Sequence, residues 1–286
     1  MIKIYCRDVI WNMTKPYDFV PFLKCKIYDE NGTLEGRIPI KVKVLTPVHI
    51  FSGHLKVQEN GKIYREFIKV NRTPIIPGTS FKGCVRTIAE SVSHSCLRTS
   101  QKDKKVPADK QHDEKHRCII CDMFGSMGHR SKVRFSDLVA VNYGTYVRGI
   151  PRSFKPNPES GYYIENGKYK GYKFYKHGVD GIQPTGPILC EFVTTGAEFE
   201  GEVLYSGLTH KQLALLCFAL GLSGDIHPKI GYGKAFFYGS IAISSHPEWA
   251  DKARQYINEC SHEVKGNIDA LIRILNYNNA LKSYDG

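Results

Sequence analysis

Residues 38–45, IPIKVKVL, alternate Ile38, Ile40, Val42 and Val44 with Pro39, Lys41 and Lys43, the period-2 pattern of a strand with one face buried and one face wet. TPVHIFSG (46–53) follows, then a loop through Gly61 and a second strand-like run from Glu66 to Val70. The turn signal RTPIIPG ends this section. From Thr79 the period changes: Phe81, Val85, Ile88, Ala89 and Val92 fall on one stripe, which predicts a helix with Thr79 or Ser80 as its N-cap.

Further along, KVRFSDLVAV (132–141) reads as a strand, and two more strands are expected between Ile188 and Tyr205 around the turn TTGAEF. Thr209 and Gln212 form a capping box for a helix carrying Leu213, Leu216, Cys217 and Leu220. A last strand is expected over 235–243, with two helices after Pro247. The order strand, helix, strand, strand, helix, strand predicts an α+β, ferredoxin-like (RRM-like) domain over 38–247, with an N-terminal extension (1–37) and a C-terminal helical extension (248–286). Two insertions interrupt it, at about 97–130 and 146–186. The first contains the charged, apolar-poor stretch 99–117; the second is rich in Gly, Pro, Lys and Tyr.

Forty Lys and Arg against 28 Asp and Glu give a net charge of +12, a balance that fits a polyanionic partner and equally a solvated basic surface. No apolar run approaches the roughly 18 residues of a membrane span, and the start MIKIYCRDVIW lacks a basic segment followed by an apolar one. A cytoplasmic protein without membrane contact is therefore expected. In that compartment nine cysteines point to metal binding or burial rather than to disulfides.

Four constellations carry chemistry. In IPGTSFKGCVR (76–86), Gly78 opens a helix N-terminus that offers free N–H groups, and Lys82 and Arg86 share a face beside it. This arrangement suits a phosphate backbone, or an ordinary helix with two solvated cations. In GDIHPKIGYGKAFF (224–237), Gly231 and Gly233 flank Tyr232 between Lys229 and Lys234, so a ring can stack on a base while the amines neutralise phosphate. His116, Cys118 and Cys121, with Cys96 upstream, make a Cys3His set for a structural Zn²⁺, with His94 and His112 as rivals for the fourth position. Such a site would clip both ends of the insertion 97–117. Finally, residues 148–178 interleave Arg148, Arg152, Lys155, Lys170, Lys173 and Lys176 with Tyr162, Tyr163, Tyr172, Phe174 and Tyr175. His49, His54, His177 and His227 are scattered, without paired carboxylates or a nucleophile elbow, so no catalytic residue is expected.

TPVHIFSG, IPGTSFKGCVR, the D-x-F-G and V-x-F-S-D elements between 122 and 137, and GYGKAFF occur in the characteristic order of the RAMP superfamily, which the chain resembles across most of 38–243. PYDFVPF (16–22) with GRIPIKV (36–42) resembles a subgroup related to the backbone proteins of type III-D CRISPR effectors, and the HxCxxC segment is similar to that subgroup's zinc-binding inserts. The resemblance implies a ferredoxin-like palm, a β-hairpin thumb drawn from 148–178, and copies stacked head to tail along one guide RNA (crRNA) that pairs with target RNA. It makes Ser80, Lys82, Arg86, His49, Arg148, Arg152, Lys229, Tyr232, Gly233 and Lys234 the RNA-contacting residues. Target-cleaving relatives carry an aspartate before the IPG motif, whereas SGHLKVQENGKIYREFIKV (52–70) contains none. Cutting is then expected of a separate nuclease among other effector subunits, as in the type III-derived type VII systems. The alternative is a metal-independent endoribonuclease that processes precursor guide RNA, with His49 or His54 as general base.

Overall fold

In the computed structural model, which describes residues 15–97, 104–112, 116–153, 157 and 160–283, the chain begins with β1 (Tyr17–Val20) and β2 (Leu34–Val44). A hairpin of β3 (Phe51–Val57) and β4 (Ile63–Phe67) follows, then β5 (Lys69–Val70), β6 (Thr73–Ile76) and helix α1 (Gly78–Ser91). After the short α2 (Ile119–Phe124) come β7 (Val133–Phe135), β8 (Leu138–Asn142), β9 (Thr145–Ile150), β10 (Ile164–Glu165), β11 (Lys168–Tyr169) and β12 (Tyr172–Tyr175). The chain continues through β13 (Ile188–Val193), β14 (Glu198–Leu208), α3 (His210–Ala219), β15 (Ile241–Ser244), α4 (Pro247–Glu259) and α5 (His262–Leu275).

The alternation read at 38–45 sets the core. Ile38, Ile40, Val42 and Val44 turn inward from β2 and meet Phe199 and Val203 of β14, Phe81, Val85 and Ile88 of α1, and the buried helix α3 in one apolar cluster. Each such side chain contributes about 1.5–3 kcal/mol on burial. The main sheet runs β15-β2-β14-β8-β6-β5, with β7 also on β14, and its pairings are antiparallel. Where β2 meets β14 its outer face is charged: Lys41 and Lys43 of β2 stand opposite Glu200 and Glu198 of β14, and Lys41 pairs with Glu200 at 3.0 Å. A second sheet, β3-β4-β13-β9, stands beside it. No helix among the described residues is long and apolar enough to cross a membrane.

Several expectations are revised. Neither Thr79 nor Ser80 caps α1; Pro77 occupies the N-cap without a side-chain bond, and the Gly78 amide donates instead to Asp137 Oδ1 at 2.8 Å. The capping box on α3 is present, with both reciprocal bonds of Thr209 and Gln212. The last strand is shorter than 235–243: Lys234–Phe236 is a 3-10 turn, because left-handed backbone at Gly233, Phe237 and Gly239 breaks extended structure. Within 148–178 the hairpin is the short β10–β11 pair, Ile164 opposite Tyr169 and Glu165 opposite Lys168, and the rest of the stretch joins other elements. Its start belongs to β9, which pairs with β13, and its end is β12, which pairs with β1 of the N-terminal extension. The loop expected through Gly61 is the tip of the β3–β4 hairpin.

Candidate nucleic-acid interface and thiol cluster

The glycine-rich segment 229–234 docks between the two sheets. Tyr232 N–H donates to the His49 carbonyl at 2.9 Å. Gly231 has φ +80, and a Cβ there would lie 2.3 Å from that same oxygen, so only glycine fits. On the other side Cys84 of α1 places its thiol 3.5 Å from the Lys229 carbonyl. Burial pushes that thiol up to about 11, so it packs as a neutral group. The two motifs that sequence order pairs thus meet in space, with Ser80 exposed one turn before Cys84.

The rings collect around His49. Its ring centroid lies 6.3 Å from Phe51, 6.4 Å from Tyr232 and 5.6 Å from Phe192. His49 is fully buried, and burial lowers its pKa. Its Nδ1 lies 2.6 Å from the Glu191 carbonyl; because a carbonyl only accepts, the proton sits on Nδ1 and Nε2 carries a lone pair. Arg148 donates to the Gln183 carbonyl and stands 6.0 Å from the Tyr238 ring. Arg152 is exposed, and Lys155 lies outside the described residues.

Three cations expected on the RNA face point elsewhere. Lys229 is buried, donating to the Lys176 carbonyl at 3.1 Å and to Ser240 Oγ at 3.4 Å, and burial with the neighbouring Lys234 charge lowers its pKa to about 7. Lys82 turns toward Ser131 Oγ (2.7 Å) and the Val133 carbonyl (3.2 Å). Arg86 pairs with Glu90 at 2.8 Å and reaches the Gly125 carbonyl. For the two cations on α1 the reason is shared. The α1 faces that bear Lys82 and Arg86 pack against the segment 125–133, and the anion position at the Gly78 amide is already filled by the Asp137 carboxylate. Lys234 stays half-buried at the loop, donating to the Gly231 carbonyl at 2.6 Å.

Sequence reading missed Arg65, whose guanidinium stands over the rings of both Phe51 and Tyr232; a single arginine in a strand carries no signal until its neighbours are known. It also missed a cleft of about 440 Å³ lined by Arg130, Lys132, Arg134 and Ser206. Of these, Lys132 is neutralised by Asp122 at 2.6 Å.

Cys96, Cys118 and Cys121 come together as a buried group that could hold a metal ion. The Cys96 sulfur lies 3.5 Å from Cys121 and 3.7 Å from Cys118, close to the edge of about 3.8 Å in a tetrahedron with Zn–S bonds near 2.3 Å. The neighbouring sulfurs of Cys121, Cys25 and Cys96 push the pKa of the Cys118 thiol down. The expectation for His116 changes. That residue is exposed, and the ring against the thiols is His112, with Nδ1 at 3.2 Å from Cys96 and 3.6 Å from Cys121. The segment 104–112 folds back so that Leu97 bridges Gln111, which carries His112 to the cluster. His94 is committed elsewhere, its Nδ1 to the Lys24 carbonyl and its Nε2 beside Lys26. Cys25, from the N-terminal extension, shares thiol hydrogen bonds with Cys118 and Cys96. Nothing in its spacing announces it.

A mixed α+β chain with glycine-hinged loops set among basic and aromatic side chains defines the class. The chain belongs to the RAMP superfamily, whose family model matches residues 41–242. Members of that superfamily bind crRNA and work in CRISPR complexes, so membership points to a CRISPR-associated role in RNA binding. No individual curated protein matches the chain.

Proposed function

We propose that this protein is a guide-RNA-binding backbone subunit of a type III-D-like or type III-derived CRISPR effector, stacking in several copies along the guide and presenting it to target RNA. In this reading β2, α1, β8, β14, α3 and β15 are the ferredoxin-like palm, since the four strands lie in the order β15-β2-β14-β8 that the split βαβ arrangement requires. The observation that carries the proposal is the docking of the 229–234 loop against both α1 and the second sheet, with Ser80, Arg148, Arg152, Tyr232, Gly233 and Lys234 around it. Backbone contacts of this kind hold RNA without reading its sequence.

Two features favour this reading over others. An RRM-type protein binding alone stacks bases on aromatics of its open sheet face, yet the outer rows of β2 and β14 contain Arg37, Lys41, Lys43, Glu198, Glu200 and Glu202 and no ring. For the endoribonuclease alternative, His49 is sealed from solvent with its proton bonded to Glu191, which leaves exposed His54 as the candidate base. The aspartate missing from 52–70 assigns cutting to a partner nuclease. We assign the thiol cluster a structural Zn²⁺ held by Cys96, Cys118 and Cys121 with His112 fourth, supported by the spacings above.

The test incubates purified protein with precursor guide RNA and follows both cleavage and size. The expected result is uncut RNA and stepwise multimers that grow with protein added. Site-specific cleavage lost in His54→Ala or His49→Ala, or a 1:1 complex at saturation, overturns the reading.

A further inference from the structure

We infer that Phe51, Arg65 and Tyr232 form a stacking platform for an unpaired nucleobase of the bound RNA. The inference rests on the RNA-binding reading above and adds a base contact to it. Phe51 is 43% exposed, whereas its cross-strand partner Phe67 is fully buried. The Arg65 guanidinium carbon lies 5.8 Å from the Phe51 ring centroid and 5.4 Å from that of Tyr232, so one cation serves two rings. Aromatic faces and guanidinium planes both accept a base in stacking contact. Among the described residues no carboxylate forms an ion pair with Arg65, whereas Lys56 and Glu66, on the opposite face of the same hairpin, neutralise each other at 2.5 Å. The positive charge of Arg65 is left for a ligand.

His49 lies beneath the platform. Its Nδ1 donates to the Glu191 carbonyl and its ring borders both Phe51 and Tyr232, so it braces the two rings from the buried side. The platform also continues outward. Leu55 stands opposite Arg65 and Val57 opposite Ile63 on the same hairpin face, and these three apolar side chains are 63%, 66% and 60% exposed in the order Leu55, Val57, Ile63. Such a strip gives neighbouring bases an apolar surface.

The experiment compares binding of a single-stranded RNA with binding of the same ribose–phosphate chain lacking its bases, by fluorescence anisotropy over a salt series. Phe51→Ala removes the ring without altering charge, and because the side chain is nearly half exposed its unfolding midpoint should match the wild type. The expected result is about tenfold weaker binding of base-bearing RNA, an unchanged salt slope, unchanged binding of abasic RNA, and rescue by Phe51→Trp. Equal weakening of both RNAs, or no weakening of either, overturns the platform while RNA binding stands. Failure of the wild type to bind either RNA overturns both.

Discussion

At Lys229 burial works against charge. The amine sits beneath the glycine loop in a chain of bonds: Lys229 Nζ donates to Ser240 Oγ, Ser240 donates to His177 Nδ1 at 2.8 Å, and His177 Nε2 donates to the Leu275 carbonyl at 3.1 Å. Burial pushes His177 down to about 3, which keeps the ring neutral and fixes that tautomer. Lys229 falls from its ordinary 10.5 to about 7, so between those values the unfolded chain holds a proton that the folded chain has lost. Stability should therefore rise with pH from about 7 to about 10.5 and carry its full penalty below about 7. Lys229→Met should flatten this rise by up to one proton's worth of slope in urea titrations across that window; an identical slope in both proteins would show that the amine titrates normally. Lys229 was legible as a basic loop residue, but its inward direction was not, since five residues later Lys234 has the same chemistry and stays at the loop.

The elements are held in register by close backbone approaches, and these were only partly readable. The capping box of α3 could be read from Thr209 and Gln212 because its bonds are local. The cap of α1 could not, because its acceptor, Asp137, comes from the turn between β7 and β8. Gly231 carries a similar non-local constraint: its left-handed φ and the His49 carbonyl at 2.3 Å from any added Cβ both oppose a side chain. Gly231→Ala should destabilise the protein by about 2–4 kcal/mol, from backbone strain plus steric displacement of the loop. Thermal and urea unfolding measure this loss. A change within about 0.5 kcal/mol, the range of ordinary surface substitutions, would mean the loop is free to move away from β3.

Across the whole molecule, segments far apart in the chain converge on the thiol cluster: Cys25 from the N-terminal extension, Cys96 after α1, His112 from the insertion and the Cys118–Cys121 pair at α2. Metal bound there would tie the extension and the insertion to the core, and its binding energy would add to folding energy. Freshly purified protein should contain a single zinc equivalent per chain by elemental analysis. Chelation should lower the unfolding midpoint by several degrees, Cys118→Ser should abolish metal uptake, and His112→Ala should weaken it more than Cys25→Ser. Freshly purified protein free of metal would refute the site, and equal metal affinity in wild type and His112→Ala would move the fourth ligand elsewhere.

The sequence already carried the layer of strands and helices, because period-2 and helical apolar patterns are local consequences of backbone geometry: β2, α3 and β14 follow from Ile38 to Val44, Leu213 to Leu220 and Phe199 to Leu208. It also determined superfamily membership, through the order of its motifs. Which cations face out, which histidine meets the thiols, and the shared surface of Phe51, Arg65 and Tyr232 depend instead on the folded arrangement. Side-chain direction depends on what packs from distant parts of the chain, and the contacts that set it, such as β4 against β13 or Leu97 against Gln111, leave no periodic trace in the residues themselves.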